Sequence, residues 1–395
     1  MRARMGSVPW LLAACGLLLS GCAKFDDRAA GQVYQPAPAL SAPAGPQPKL
    51  PVDGDSGSGA PGPAAPRTPV PPPQGCTDYD RSVIATCLDT VSAVAALPGD
   101  ASSPSGLAAE RKTGRVMQVT ADGQPSQLAK LTVDAVGDGG LTGLALSPTY
   151  DEDQLVFAYI TTATDNRVVR FTRGQQPKAV LTGIPKGPTG NRGALASDGK
   201  ALLVATGDAG NPAAAADPNS LAGKVLRIDT SGNPAPENPT PGSRVFASGL
   251  HSPGGLCSSA DGSRLWVTDR GPSQDALYRV PSGGALAAPT WTWPDRPGLA
   301  GCADSEQAVV IATSSTPGVQ DLPIAPDGSV GGTPKSALDG KEGAGYGRLG
   351  GIDAIDSRYA LVGTVNRDGG QPVSSDDRVA IIQIPPNPAG GSGKD

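Results

Sequence analysis

Ser197-Asp-Gly-Lys-Ala-Leu-Leu-Val-Ala-Thr-Gly-Asp208 and Ala260-Asp-Gly-Ser-Arg-Leu-Trp-Val-Thr-Asp-Arg-Gly271 are two versions of one pattern. Each opens on Asp-Gly, whose two residues tolerate the positive φ of a tight hairpin turn, and runs into a short apolar strand. Asp-Gly recurs at residues 122, 138, 327, 339 and 368, and related apolar strands begin at Leu107, Leu155, Ala308 and Ala360. With Leu202 and Leu265 these make six strand starts, separated by 48, 47, 63, 43 and 52 residues. A spacing of about 51 residues, with several short strands in each unit, is the signature of a β-propeller. A lone blade cannot bury its own faces, so the units close into a ring that supplies neighbours. The sequence therefore reads as an all-β, six-bladed β-propeller. A β-sandwich is the runner-up, but it gives no reason for this interval.

Composition agrees by exclusion. The 395 residues include 54 Gly, 41 Pro and a single His. Gly and Pro cost roughly 1 and 3 kcal/mol in a helix interior, which argues against a long helical bundle. One imidazole excludes zinc sites that need two or three. With 32 basic against 37 acidic residues, the chain lacks the clustered cations that a nucleic-acid partner requires.

The flanks read differently from the repeat. Arg2 and Arg4 precede an apolar run from Trp10 to Leu19 that is too short for the ~20 residues of a spanning helix. This is the layout of a secretory signal, and Leu19-Ser-Gly-Cys22 resembles a bacterial lipobox with Cys22 as the lipidated residue. Two acyl chains would suffice to anchor the protein to the outer face of the cell membrane, in the cell envelope. Between Pro36 and Pro73, 13 of 38 residues are Pro, a composition that favours an extended spacer. The expected division is a signal peptide over 1–21, a disordered tether over 22–75, the propeller over 76–386 and a disordered tail over 387–395. Once Cys15 and Cys22 are set aside, Cys76, Cys87, Cys257 and Cys302 remain. Three pairings are possible; the favoured one joins Cys76 to Cys87 locally and Cys257 to Cys302 between neighbouring units.

One segment points to a family. Gly139-Gly-Leu-Thr-Gly-Leu-Ala-Leu-Ser-Pro-Thr-Tyr150 resembles Gly-Gly-Leu-Leu-Gly-Leu-Ala-Phe-His-Pro-Asp-Phe of the glucose/sorbosone dehydrogenases. Arg167-Val-Val-Arg170, Thr206-Gly-Asp-Ala-Gly-Asn211, Ser220-Leu-Ala-Gly-Lys-Val-Leu-Arg-Ile-Asp229, Gly271-Pro272 and Trp293-Pro294 follow in the family's order. Ile184-Pro-Lys-Gly-Pro-Thr-Gly-Asn191 and Trp291-Thr-Trp-Pro-Asp295 resemble, more narrowly, an actinobacterial lipoprotein. The resemblance implies a six-bladed propeller that uses pyrroloquinoline quinone (PQQ) and calcium to oxidise the anomeric carbon of an aldose.

Residue by residue, the implied site is altered. The family's base is the His of a His-x-Gly-Gly-x-Leu motif, and the matching stretch is Gly190-Asn-Arg-Gly-Ala-Leu195, which puts Gly190 at the base position. Asp208 matches the Asp that partners that base. The family's Arg-Asn-Pro-Gln-Gly, whose Arg pairs with a quinone carboxylate, is matched by His251-Ser-Pro-Gly-Gly255, so the only His replaces that Arg. Asp138, His251, Ser252 and Arg348 are the implied cofactor contacts, Asp208 and His251 the candidate catalytic pair, and Gly271, Pro272 and Asp275 the implied calcium ligands. A second calcium carboxylate is replaced by Ala276, and a second cofactor Arg by Gly350. Two function classes follow. One is a catalytically degenerate relative whose mouth binds a sugar, an envelope component or a protein partner; the other is an active PQQ-dependent sugar dehydrogenase. Trp291 with Trp293 reads as core packing, and Asp151-Glu-Asp153 as a solvated hairpin tip.

Overall fold

The computed structural model describes residues 70–99, 103–121, 123–341 and 345–385. The expected signal peptide, Cys22, most of the tether and the tail lie outside them. Among the described residues no helix is long and apolar enough to cross a membrane.

Strand β1 (Val83–Ala85) precedes the ring of blades. Blade one is β2 (Val91–Ala96), β3 (Ser105–Glu110), β4 (Arg115–Thr120) and β5 (Ser126–Lys130). Blade two is β6 (Leu141–Leu146), β7 (Val156–Thr161), β8 (Asn166–Phe171) and β9 (Lys178–Ile184). Blade three is β10 (Gly193–Ser197), β11 (Leu202–Thr206), β12 (Lys224–Ile228) and β13 (Val245–Ser248). Blade four is β14 (Pro253–Ser258), β15 (Leu265–Arg270), β16 (Asp275–Arg279) and β17 (Trp291–Trp293). Blade five is β18 (Leu299–Asp304), β19 (Ala308–Thr313), β20 (Val319–Pro323) and β21 (Lys335–Ala337). Blade six takes β22 (Leu349–Ala354), β23 (Tyr359–Thr364) and β24 (Val379–Gln383), and β1 supplies its outer strand.

The six apolar runs seen in the sequence are the second strands β3, β7, β11, β15, β19 and β23. They sit inside each sheet with a blade face on either side, which is why β7, β11 and β19 are buried at every position. Six apolar clusters fill the six interfaces between neighbouring blades. Leu107 and Val116 of blade one meet Leu141, Val156 and Phe171 of blade two, and Trp266 of blade four meets Val309 and Ile311 of blade five. Each such side chain contributes about 1.5–3 kcal/mol when fully buried. Trp291 and Trp293 pack edge to face with ring centroids 6.5 Å apart in the latter cluster, as core residues.

The first strand of each blade lines a central channel. Small residues allow these strands to approach one another. A Cβ on Gly255 would lie 2.7 Å from the Ala300 carbonyl oxygen, and one on Gly301 would lie 2.6 Å from the Ile352 nitrogen. Both cysteine pairs form as favoured: Cys76–Cys87 closes a local loop, and Cys257–Cys302 ties β14 to β18.

One local reading gains detail and one changes. Asp151-Glu152-Asp153 lies at the tip of the β6–β7 hairpin as expected, in a one-turn helix, α1 (Tyr150–Asp153), because Asp153 accepts hydrogen bonds from Ser147 and Thr149 and curls the chain. Asp198-Gly199 makes its turn as expected, with Gly199 at φ +79° and the Asp198 carboxylate accepting the Lys200 and Ala201 N–H groups. Asp138-Gly139 makes no hairpin turn; it lies between β5 and β6, at the mouth of the channel.

Candidate functional site

The inner strands all begin at one end of the channel. Thr90, Gly140, Arg192, Ser252, Gly298 and Arg348 are the residues immediately before them, one from each blade. The second strands run the opposite way, so their exits bring Arg111, Asp208, Asp269 and Asp368 to the same mouth. Every expected catalytic and cofactor residue therefore lies at this end, although the segments are far apart in sequence.

Asp208 and His251 meet here. The His251 Nδ1 stands 2.9 Å from Asp208 Oδ2, and the imidazole is 33% exposed. A carboxylate only accepts, so Nδ1–H donates and the neutral ring keeps its lone pair on Nε2. The backbone is held as well: Asp269 accepts the N–H groups of His251 at 3.0 Å and Ser252 at 2.7 Å, and the Asp208 N–H donates to the His251 carbonyl at 2.8 Å. Burial pushes the Asp269 carboxyl up to about 6. A carboxylate-oriented imidazole is the arrangement of a general base.

The second group surrounds Asp138. Its carboxylate accepts from the Gly190 N–H at 2.9 Å, the Asn191 N–H at 3.2 Å and the Asn191 side-chain amide at 3.1 Å. Ser252 Oγ approaches it at 3.5 Å. Asn191 is 1% exposed and also bonds the Gly187 N–H and carbonyl. Asp138 thus pins the 187–191 loop, which consumes the donors and acceptors that a cofactor contact would need. Gly190 lies at φ +68°, and a Cβ there would meet Asp208 Oδ1 at 2.7 Å and the Ala209 nitrogen at 2.9 Å. The packing leaves no space for a side chain at this position.

Three arginines line the mouth. Arg111 spans the Gly137 and Gly139 carbonyls and pairs with Asp368 at 2.9 Å. Arg270 donates to the carbonyls of Leu299 and Gly298 and to Ser314 Oγ; burial, then the charge of Arg192, lowers it to about 9. The Arg192 Nε is buried without an acceptor. Burial is also the main cause holding Arg192 below the usual guanidinium range, followed by opposing effects of Asp138 and Arg111. An orphaned donor of this kind costs roughly 1–3 kcal/mol, and more when charged.

The expected calcium ligands do not assemble. Gly271 and Pro272 lie in the β15–β16 connection and Asp275 opens β16, but Asp275 is 1% exposed and its Oδ2 accepts the Gly298 and Leu299 N–H groups at 2.7 and 3.0 Å. Among the described residues no three His, Cys, Asp or Glu side chains converge on a possible metal position. Calcium takes 6–8 oxygens, so this donor set does not fit it. PQQ fits no better in the family's manner, since the base position is closed, Asp138 is engaged and an imidazole replaces the carboxylate-gripping guanidinium. Sequence reasoning missed Asp269 and the placement of Arg192. Asp269 had left a signal: the aligned position of the other repeat copy is Thr206.

The family model described as glucose/sorbosone dehydrogenase matches residues 91–296. Aldose sugar dehydrogenase YliI of Escherichia coli is 27% identical over 179 residues, which cover 40% of this chain and 48% of that protein. The chain thus spans about half the length of this curated relative. The PQQ-bound aldose sugar dehydrogenase of Streptomyces coelicolor is 30% identical with a TM-score of 0.68, over 79% of this chain and 99% of that one. A glucose dehydrogenase-type oxidoreductase of Thermus thermophilus is 30% identical with a TM-score of 0.67, over 76% and 98%.

Proposed function

The chain belongs to the glucose/sorbosone dehydrogenase family, and from that premise we propose that it is a catalytically degenerate receptor whose mouth binds a small polar ligand. The observation that carries this reading is Gly190. Proton abstraction from an anomeric hydroxyl needs a base within hydrogen-bonding reach. At the family's base position there is neither a side chain nor space for one. The mouth keeps its polar lining, and such a lining suits recognition of hydroxyls or charges.

The same proposal places the protein outside the cell membrane, tethered through lipid on Cys22 and the Pro-rich spacer. Its support is the order Arg2, Arg4, apolar run and Leu19-Ser-Gly-Cys22, together with two disulfides of the kind that persist in oxidising compartments. Replacing Cys22→Ser would release the protein from the membrane fraction; unchanged retention would reject the anchor.

A dehydrogenase reading is favoured by one observation, the His251–Asp208 pair. Reconstitution separates the two. The purified protein is incubated with PQQ and calcium, quinone binding is measured by absorbance, and dye reduction is followed with a panel of aldoses. The receptor reading expects no sugar-dependent turnover. Turnover abolished by His251→Ala would overturn it and assign the base to His251.

A further inference from the structure

Arg192 rims the mouth from blade three, directly before β10, and its Nε is buried with no acceptor among the described residues. The neighbouring carboxylates are committed elsewhere. Asp138 holds Gly190 and Asn191, Asp368 pairs with Arg111 and Lys112 at 2.9 Å each, and Asp208 and Asp269 hold His251. Arg270 differs from Arg192, because carbonyls and a hydroxyl already satisfy it. Arg348 rims the mouth from blade six, three blades further round a six-blade ring. The family motif carries Gly where this chain has Arg192, so this cation belongs to the chain rather than to the inherited site.

We propose that Arg192 makes the mouth a receptor for a small oxyanion, a carboxylate or phosphate borne on a sugar-sized molecule. The inference rests on the receptor reading of the same mouth and names its ligand class. A guanidinium is planar, stays charged at neutral pH and offers a donor fork that matches carboxylate and phosphate oxygens. An anion entering the mouth gives the guanidinium an acceptor and adds negative charge to that of Asp138 and Asp368, which reach Arg192 only through space. A neutral sugar does only the first. Arg348 adds positive charge from the opposite rim.

The test is calorimetric titration of the full chain with D-gluconate, D-glucose 6-phosphate and D-glucose. At least one anion is expected to bind at least tenfold more tightly than D-glucose, and the tighter anion tells carboxylate from phosphate. Arg192→Ala should weaken that anion about tenfold or more, with Arg192→Lys intermediate because it keeps charge but loses the fork. Arg192→Gln serves as a second neutral variant should Arg192→Ala fail to fold. Thermal midpoints of the two neutral variants without ligand should not fall, since a buried donor without an acceptor has been removed. Anion affinity unchanged in the neutral variants, D-glucose preferred by the wild type, or no anion binding at all would overturn the inference. Sugar-dependent dye reduction with PQQ would overturn the receptor reading alone, and an anion preference erased by Arg192→Ala would still stand.

Discussion

Position 190 illustrates how close packing fixes a backbone. With φ at +68° and Asp208 and Ala209 packed against it, Gly190 has no route back to a larger residue without moving the loop. Gly190→Ala is expected to destabilise the protein by about 1–3 kcal/mol, read as a lower urea midpoint at unchanged slope. Gly190→His should cost at least as much and restore no dye reduction; an active, stable Gly190→His would contradict the closed-loop account. The lone His offers a second residue-scale test, because its ring nitrogens give one unambiguous set of NMR signals. In the wild type at neutral pH the neutral ring should carry its proton on Nδ1, facing Asp208. Asp208→Ala removes the acceptor and should move that proton to Nε2; an unchanged tautomer would show that Asp208 does not orient the ring. His251 and Asp208 were each legible as candidates, but their contact was not, since it joins segments 43 residues apart that only the side-by-side packing of blades three and four brings together. Asp269 was legible only as the residue that replaces the Thr of its repeat.

Among elements, the inner strands decide both the channel and the mouth. Five of the six carry a bulge or register shift near the mouth, and β10 does not. The pairing of β10 is regular from Gly193 onward, and no hydrophobic period reports such a detail. The second strands were legible because burial on both faces leaves an unbroken apolar run, whereas the outer strands β5, β9 and β21 are largely exposed and nearly silent in the sequence. The Cys257–Cys302 bridge acts at this scale, tying neighbouring inner strands across a 45-residue separation. Chain entropy assigns a loop of that length about 4 kcal/mol, and strain or denatured-state structure reduces it. Cys257→Ala with Cys302→Ala should therefore lower stability by about 2–4 kcal/mol. The Cys76–Cys87 pair closes a loop of only 11 residues' separation and should contribute less. The two double variants compared in guanidinium check the order, and equal losses would show that loop length is not the controlling quantity.

The whole molecule is a ring closed non-locally, since β1 completes blade six beside β24 and Asp377 accepts the Thr90 N–H at 2.8 Å. Closure buries carboxylates that the unfolded chain leaves in water, and this sets the pH response. Asp269 at the mouth and Asp353 at the opposite end of the channel are both pushed up to about 6, with burial as the largest cause. Asp377 and Asp321 are raised for the same reason. An acid with a raised folded pKa binds more protons in the native state, so its contribution is complete below about 4 and is lost as pH rises through 6. Asp198, Asp229 and Asp261 oppose this: backbone, hydroxyl and arginine donors hold them low, so their contribution is present above about 4 and fades as pH falls further. Stability should therefore rise as pH falls from 7 towards 5 and decline below 4. Denaturant midpoints measured from pH 3 to 8 test that shape. Asp353 accepts the Ala96 N–H at 2.8 Å, a bond that an Asn carbonyl can keep, so Asp353→Asn removes the charge and little else. The variant should exceed the wild type at pH 7, by at most about 3 kcal/mol for a shift of some two pH units, and the two curves should converge near pH 4. Parallel curves across that range would show that the Asp353 charge does not control the slope.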